Sequence, residues 1–209
     1  MQSLREKKER RIGEKLFLKQ ERCTGPKCAS VRRAYPPGVH GTQRRRRREA
    51  SEYGMLMREK QKVRYLYGLD DRELKRYSEK AALGKERFAS HFFQLLEERL
   101  DNTVFRLGIA PSRRTARQLV SHGHITVNGR TCSIPSYRVR IADAIGIKES
   151  ARAIPWRMAP SQHLPHDRKH VNWLSQDEGG RSGKVLARPV QEELDMQLDF
   201  AKVREFYAR

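Results

Sequence analysis

The chain has only three cysteines in 209 residues, too few for the disulfide framework that holds small secreted domains together. No apolar run approaches the roughly 20 residues that cross a bilayer. The basic amino terminus, MQSLREKKERR, has no hydrophobic stretch behind it and does not read as a secretory signal. Glu6, Glu9 and Glu14, interspersed there, argue against an organelle-targeting leader and for a cytoplasmic protein. Walker loops, dinucleotide fingerprints and catalytic-triad signatures are missing too. Acidic residues are in short supply: 25 Asp and Glu face 45 Lys and Arg, a net charge of +20 with a pI near 10.4. A compact free protein with that excess repels itself, and the excess attracts polyanions.

The charge is unevenly placed. Residues 1–50 carry 16 Lys and Arg against 5 Asp and Glu, whereas residues 183–209 carry 5 of each. Pro26, Pro36 and Pro37, with five successive arginines at Arg44, Arg45, Arg46, Arg47 and Arg48, mark residues 15–48 as an irregular basic arm. An isolated charge run is commonly a solvated tail. Tyr35, Pro36, Pro37 and Gly38 place rigid, amphipathic elements beside this one, which favours an arm that orders on a polyanion.

Helix formers dominate residues 51–67 and 70–83. Leu56, Val63, Leu66 and Tyr67 make an apolar face there, expected to lie opposite Arg58, Lys60, Lys62 and Arg64. Asp70 is a good amino cap and Gly84 a stop. Residues 190–206 hold Leu194, Leu198, Ala201 and Phe206 in partial helical register, a stripe too short to bury itself. It is expected to return to the helices at 51–83.

Between residues 92 and 107 the apolar positions Phe92, Leu95, Leu96, Leu100, Val104 and Leu107 predict one helix, with Glu97, Glu98 and Arg99 in water. A second helix is predicted over 112–122. It buries Ala116, Leu119 and Val120 and sets Arg113, Arg114 and Arg117 within one turn of each other. Clustered guanidinium groups are costly unless solvated or neutralised, and a phosphate backbone neutralises them. His122, Gly123 and His124 then turn the chain into a strand at 125–127, Asn128 and Gly129 favour a type I′ hairpin turn, and runs at 131–134 and 144–147 complete a small sheet.

These residues resemble the S-four RNA-binding domain, in the version carried by the small-subunit ribosomal protein S-four family. The family pattern appears here at residues 99–108 as RLDNTVFRLG, at 112–129 as SRRTARQLVSHGHITVNG, and at 134–139 as IPSYRV. The flanks extend the likeness: KLFLKQERCTGPKCASVRRAYPPGVHG over 15–41, SEYGMLMREKQKVRYLYGL over 51–69, Asn172-Trp173-Leu174, Gly183-Lys184-Val185 and the terminal VREFYAR. The first dozen residues and the segment 152–169 depart from it. The resemblance implies an α+β fold: a mainly helical outer domain with a basic amino-terminal arm, plus an inserted domain of two helices on a small antiparallel sheet. The corresponding division is 1–50 arm, 51–90 helical, 91–150 inserted domain, 151–182 connector, and 183–209 returning to the helical domain.

The resemblance further implies a structural, non-enzymatic protein that binds small-subunit ribosomal RNA at a multi-helix junction and nucleates assembly. It would neighbour ribosomal proteins S-five and S-three and messenger RNA where it enters the subunit, and influence decoding accuracy, with no membrane and no small-molecule substrate. The expected RNA-contacting residues are Lys27, Arg32, Arg33, Tyr35, the run from Arg44 to Arg48, Arg58, Lys62, Arg113, Arg114, Arg117, His122, His124 and Arg130. Tyr35 stacks on a base or sugar, or packs on Pro36 or Pro37. Pseudouridine synthases and stress-linked ribosome-binding proteins carry the same module and are the rival readings. Some sixty residues after the inserted domain leave too little chain for a synthase core.

Family members with zinc place a C-x2-C pair ahead of an Arg-Arg-x-Gly run, here residues 10–13, where this chain has Glu6 and Glu9. Cys23 and Cys28 remain, and His40 is a further candidate ligand. Structural zinc takes four Cys or His ligands, so no cofactor is expected. Cys132 reads as a packing residue, and His163, His166 and His170 as part of a polar connector.

Overall fold

The computed structural model describes residues 3–18, 23, 25–42, 51–84, 86–151, 171–177, 181–191 and 198–208. The chain forms two compact units: residues 1–82 with 197–209, and residues 83–196. The run Arg44 to Arg48, the segment 152–169 and the three connector histidines lie outside the described residues.

In the first unit, α1 (Ser3–Ile12) packs against a short α2 (Ala29–Arg32), followed by a 3-10 turn at Val39–Thr42. The irregular arm expected over residues 15–48 thus carries two short helical turns among its described residues. Glu9, Ile12, Leu16, Cys23 and Cys28 are buried together with Glu6, so the segment has an interior of its own. Helix α3 (Glu52–Tyr67) starts at Ser51, whose Oγ accepts the Gly54 N–H at 3.3 Å. It ends at Gly68, and the chain re-enters α4 (Asp71–Leu83) through a reciprocal cap. The Glu73 N–H donates to Asp70 Oδ1 at 2.6 Å and the Asp70 N–H to Glu73 Oε2 at 3.4 Å. The last helix, α5 (Phe200–Ala208), packs on α3 and buries Phe200 and Val203. Its Phe206 ring lies 5.8 Å from Tyr53 and under the Lys60 ammonium at 4.5 Å.

Lys60 and Lys62 sit on the buried side of α3, not on the wet face expected for them. Each aliphatic stem fills apolar space while the head finds carboxylates. Lys60 Nζ is 3.0 Å from Asp71, and Lys62 Nζ is 2.7 Å from Glu14 and 2.6 Å from Glu59. Burial alone would pull the Lys62 pKa down, but hydrogen bonds and attraction from Glu14 and Glu59 outweigh it and raise the pKa above its ordinary 10.5.

In the second unit the single helix expected over 92–107 is two: α6 (Phe88–Glu97) and α7 (Leu100–Arg106). Arg99 is extended between them and bridges to Arg138 in antiparallel fashion. The segment 135–139 is sewn into this break. The Pro135 and Tyr137 carbonyls accept the first amides of α7, from Asp101 at 3.1 Å and Leu100 at 2.8 Å, and the Val139 N–H donates to Glu98 O at 2.9 Å. Amides that a helix start leaves unpaired are satisfied there by distant chain.

Helix α8 (Arg113–Ser121) begins at Ser112, whose Oγ accepts the Thr115 N–H at 3.1 Å, and buries Ala116, Leu119 and Val120 against a core shared with Phe105, Ile125 and Ile145. The strands are β1 (Ile125–Val127), β2 (Arg130–Thr131), β3 (Ala144–Ile147), β4 (Leu174–Gln176) and β5 (Ser182–Val185), in antiparallel order β2-β1-β3-β5-β4. Asn128 and Gly129 both have positive φ, 50° and 77°, as the I′ turn requires. Strands β4 and β5 correct the domain division. The inserted unit takes in residues 171–176 and 182–185, with Ile145 opposite Gly183 and Ser175 opposite Lys184. A Cβ on Gly183 would lie 2.4 Å from both Leu107 Cδ2 and Ser175 O, so only glycine lets β5 pass there.

Glu97, Glu98 and Arg99, expected in water, are buried. Arg106 donates to Glu97 through Nε at 2.8 Å and Nη2 at 3.1 Å, and Arg99 donates to Asp101 through Nε at 3.0 Å and Nη2 at 2.8 Å. Asn102 Nδ2 adds a bond to Glu97 at 2.9 Å, and Arg138 pairs with Glu98.

Glu97→Ala strands the Arg106 guanidinium and should lower unfolding free energy by about 3–5 kcal/mol, read by urea denaturation; a loss below 1 kcal/mol would mean the pair is dispensable. A lysine whose folded pKa lies above 10.5 contributes stability that is full below that pH and is lost as pH rises through the folded value. Wild-type stability should therefore fall relative to Lys62→Met as the pH rises above 10.5, and parallel alkaline profiles for the two proteins would refute the coupling.

Candidate nucleic-acid interface

The three arginines of α8 divide. Arg113 Nε donates to Asn102 Oδ1 at 2.7 Å and its guanidinium lies 4.5 Å from the centre of the Phe105 ring, so this residue anchors the helix to the scaffold. Arg117 is about one-third exposed, with Nε 4.0 Å from Asp101 Oδ2, at the edge of the buried network. Arg114 is exposed. The spacing that groups the three arginines gives no sign that Arg113 bonds Asn102 and lies against Phe105.

The chain leaves α8 through His122, which caps it, and turns at Gly123, whose N–H donates to Val120 O at 2.9 Å. The imidazoles of His122 and His124 are brought together, ring centres 5.9 Å apart, with His122 exposed and His124 half-buried. The His124 carbonyl accepts the Lys148 N–H at 2.9 Å, which ties the turn to the end of β3. Arg130, on strand β2, is exposed.

In the first unit Lys27, Arg32, Arg33 and Arg58 are exposed as expected. Lys62 is not: its two carboxylate partners and its burial remove it from any contact surface. Tyr35 is exposed and its ring has a cationic partner. The Arg10 guanidinium stacks over its ring at 4.8 Å, held there by Nε bonds to the carbonyls of Arg33 at 2.9 Å and Tyr35 at 3.0 Å. Arg10 was not among the expected contact residues. It lies in the Arg-Arg-x-Gly run, but its partners are more than twenty residues away and leave no local trace.

The residues at the family's zinc position do not fit that ion. Glu9 stands where a thiolate would, and its Oε1 already accepts the Leu18 N–H at 2.9 Å. Cys23 Sγ lies 4.0 Å from each Glu9 oxygen, the arrangement of a thiol donating to a carboxylate. His40 sits exposed on the 3-10 turn. Among the described residues no group of three or more His, Cys, Asp or Glu is placed to hold a metal, and none of the helices is long and apolar enough to cross a membrane.

The arrangement resembles proteins already known. A family model for the ribosomal protein S4/S9 N-terminal domain matches residues 2–97, and one for the S4 domain matches residues 98–145. Among curated relatives, the small ribosomal subunit protein uS4 of Thermus thermophilus is 49% identical over 200 residues. The proteins of the same name from Acetivibrio thermocellus and Halothermothrix orenii are 45% and 46% identical. Each alignment covers 96% of this chain and 94% of the relative. With both domain models in order along the chain and these relatives matched nearly end to end, the chain belongs to the uS4 family of small ribosomal subunit proteins.

Proposed function

We propose that the chain is a resident structural component of the small ribosomal subunit that grips small-subunit ribosomal RNA with cations held on a rigid scaffold. The observation that carries this reading is the division of labour on α8. Arg113 is turned inward onto Asn102 and Phe105, which fixes the helix and leaves Arg114 outward. Phosphate contacts made from such a surface position the protein on folded RNA without needing base identity.

No catalytic role belongs to this reading. A pseudouridine synthase presents an aspartate to its substrate, whereas Asp101 is buried in a bidentate pair with Arg99 and Glu97 in another with Arg106. Contacts with ribosomal proteins S-five and S-three and with messenger RNA, an effect on decoding accuracy, and residence on cytoplasmic ribosomes rest on the family resemblance. The amino-terminal segment holds itself together without zinc, through the Glu9 carboxylate that takes bonds from Leu18 and Cys23.

On small-subunit ribosomal RNA transcripts, Arg114→Ala should weaken binding and flatten the log–log salt dependence by about 0.7–0.9 while leaving the melting temperature unchanged; Arg113→Ala should also lower the melting temperature. An unaltered salt slope for Arg114→Ala, or no binding by the wild type, would overturn the reading. Chelation should leave thermal unfolding of the wild type unmoved, whereas Glu9→Ala should lower it. A chelator-induced drop reversed by zinc would show that the segment depends on metal after all.

A further inference from the structure

A cleft of about 710 Å³ opens in the first unit between the end of α1, the chain after α2, and Arg58 on α3. Its acids are occupied. Glu14 pairs with Lys62 at 2.7 Å, and Glu9 is turned to Leu18 and Cys23. Four cations of its wall, Arg11, Lys15, Arg33 and Arg58, are exposed and make no ion pair with any described residue. They come from three stretches of chain, Arg11 and Lys15 sharing one, so the fold gathers them against their mutual repulsion, which an anion in the cleft would relieve. Tyr35 is a fifth wall element, carrying Arg10 on its ring with the guanidinium plane fixed by two backbone carbonyls.

Resting on the RNA-binding reading above, we infer that this cleft receives a single unpaired nucleotide of the RNA, its base extending the Arg10–Tyr35 stack and its phosphates meeting Arg11, Lys15, Arg33 and Arg58. A recess suits an unpaired residue better than a duplex, whose phosphates lie on a convex surface and need no aromatic wall. Bases splayed from loops and junctions stack on aromatic rings and guanidinium planes, and this stacking is tolerant of base identity because every base has a π-face. Tyr35 therefore contributes affinity without a phosphate contact, whereas Arg11 and Lys15 contribute through charge.

The full chain should be measured against a small-subunit ribosomal RNA junction transcript with unpaired positions and against a fully paired RNA duplex of similar length. Tyr35→Ala should weaken junction binding roughly tenfold with an unchanged salt slope and leave duplex binding as it was. Arg11→Ala and Lys15→Ala should each flatten the junction slope. Because losing the Tyr35 ring could loosen the Arg10 contacts, the wild-type protein supplies an independent readout: transcripts carrying 4-thiouridine at unpaired positions should photocrosslink to residues 30–36. If Tyr35→Ala binds the junction like wild type, or if crosslinks form only elsewhere on the chain, the cleft is not a nucleotide site, though Arg114 would still report RNA binding. Loss of duplex and junction affinity in equal measure would reduce the cleft to a general electrostatic surface and overturn the inference as well.

Discussion

Buried charge paired with buried charge is what the second unit hangs on. Glu97 with Arg106 and Asp101 with Arg99 lie almost wholly out of water, where an ion left without its partner is far more costly than the pair is favourable. The four residues therefore permit one geometry. They hold α6 and α7 at the break around Arg99, and that break accepts the backbone of residues 135–139. Asn102, bonded to Glu97 on one side and to Arg113 on the other, carries the constraint into α8. The helix that presents Arg114 thus takes its position from a polar network beneath it as well as from the apolar stripe of Ala116, Leu119 and Val120.

Seen this way, a net charge of +20 overstates the cationic surface. Lys60, Lys62, Arg99 and Arg106 are interior residues, each matched to a carboxylate. Their long side chains cover apolar surface while the heads make short ion pairs. What remains outward among the described residues, the cations on α8 and around the cleft in the first unit included, is the share available to a polyanion. The first unit follows the same logic at Glu9, where a carboxylate takes bonds from a thiol and an amide.

The parts legible in the amino-acid order are those whose chemistry closes within a few residues. Ser51, Asp70 and Ser112 cap helices because a side-chain oxygen reaches an amide three positions on. Asn128 and Gly129 turn the hairpin because they tolerate positive φ. The stripe of α8 and the return of the last helix to α3 were likewise readable, the first from periodicity and the second from an apolar face too short to stand alone. Among the expected contact residues, Lys27, Arg32, Arg33, Arg58, Arg114 and Arg130 are exposed, and the surface is where unmatched charge belongs.

Other features had no local sign. Helical spacing runs unbroken through residues 92–107, and nothing within that stretch reports that Pro135 and Tyr137 will claim the amides of Leu100 and Asp101. Glu97 reads as solvated because alone it would be, and only its approach to Arg106 across nine positions makes burial tolerable. Lys62 looked like a surface cation until Glu14 and Glu59 met it. Strands β4 and β5, short and far along the chain from β3, on which β5 pairs, carry no pattern of their own. Composition and short-range pattern thus established the charge, the caps, the turn and the helical stripes, whose energetics are complete within a turn or two of chain. Which charged residues face water was settled by the folded chain, because the cost of hiding an ion depends on a counter-ion that only long-range packing can deliver.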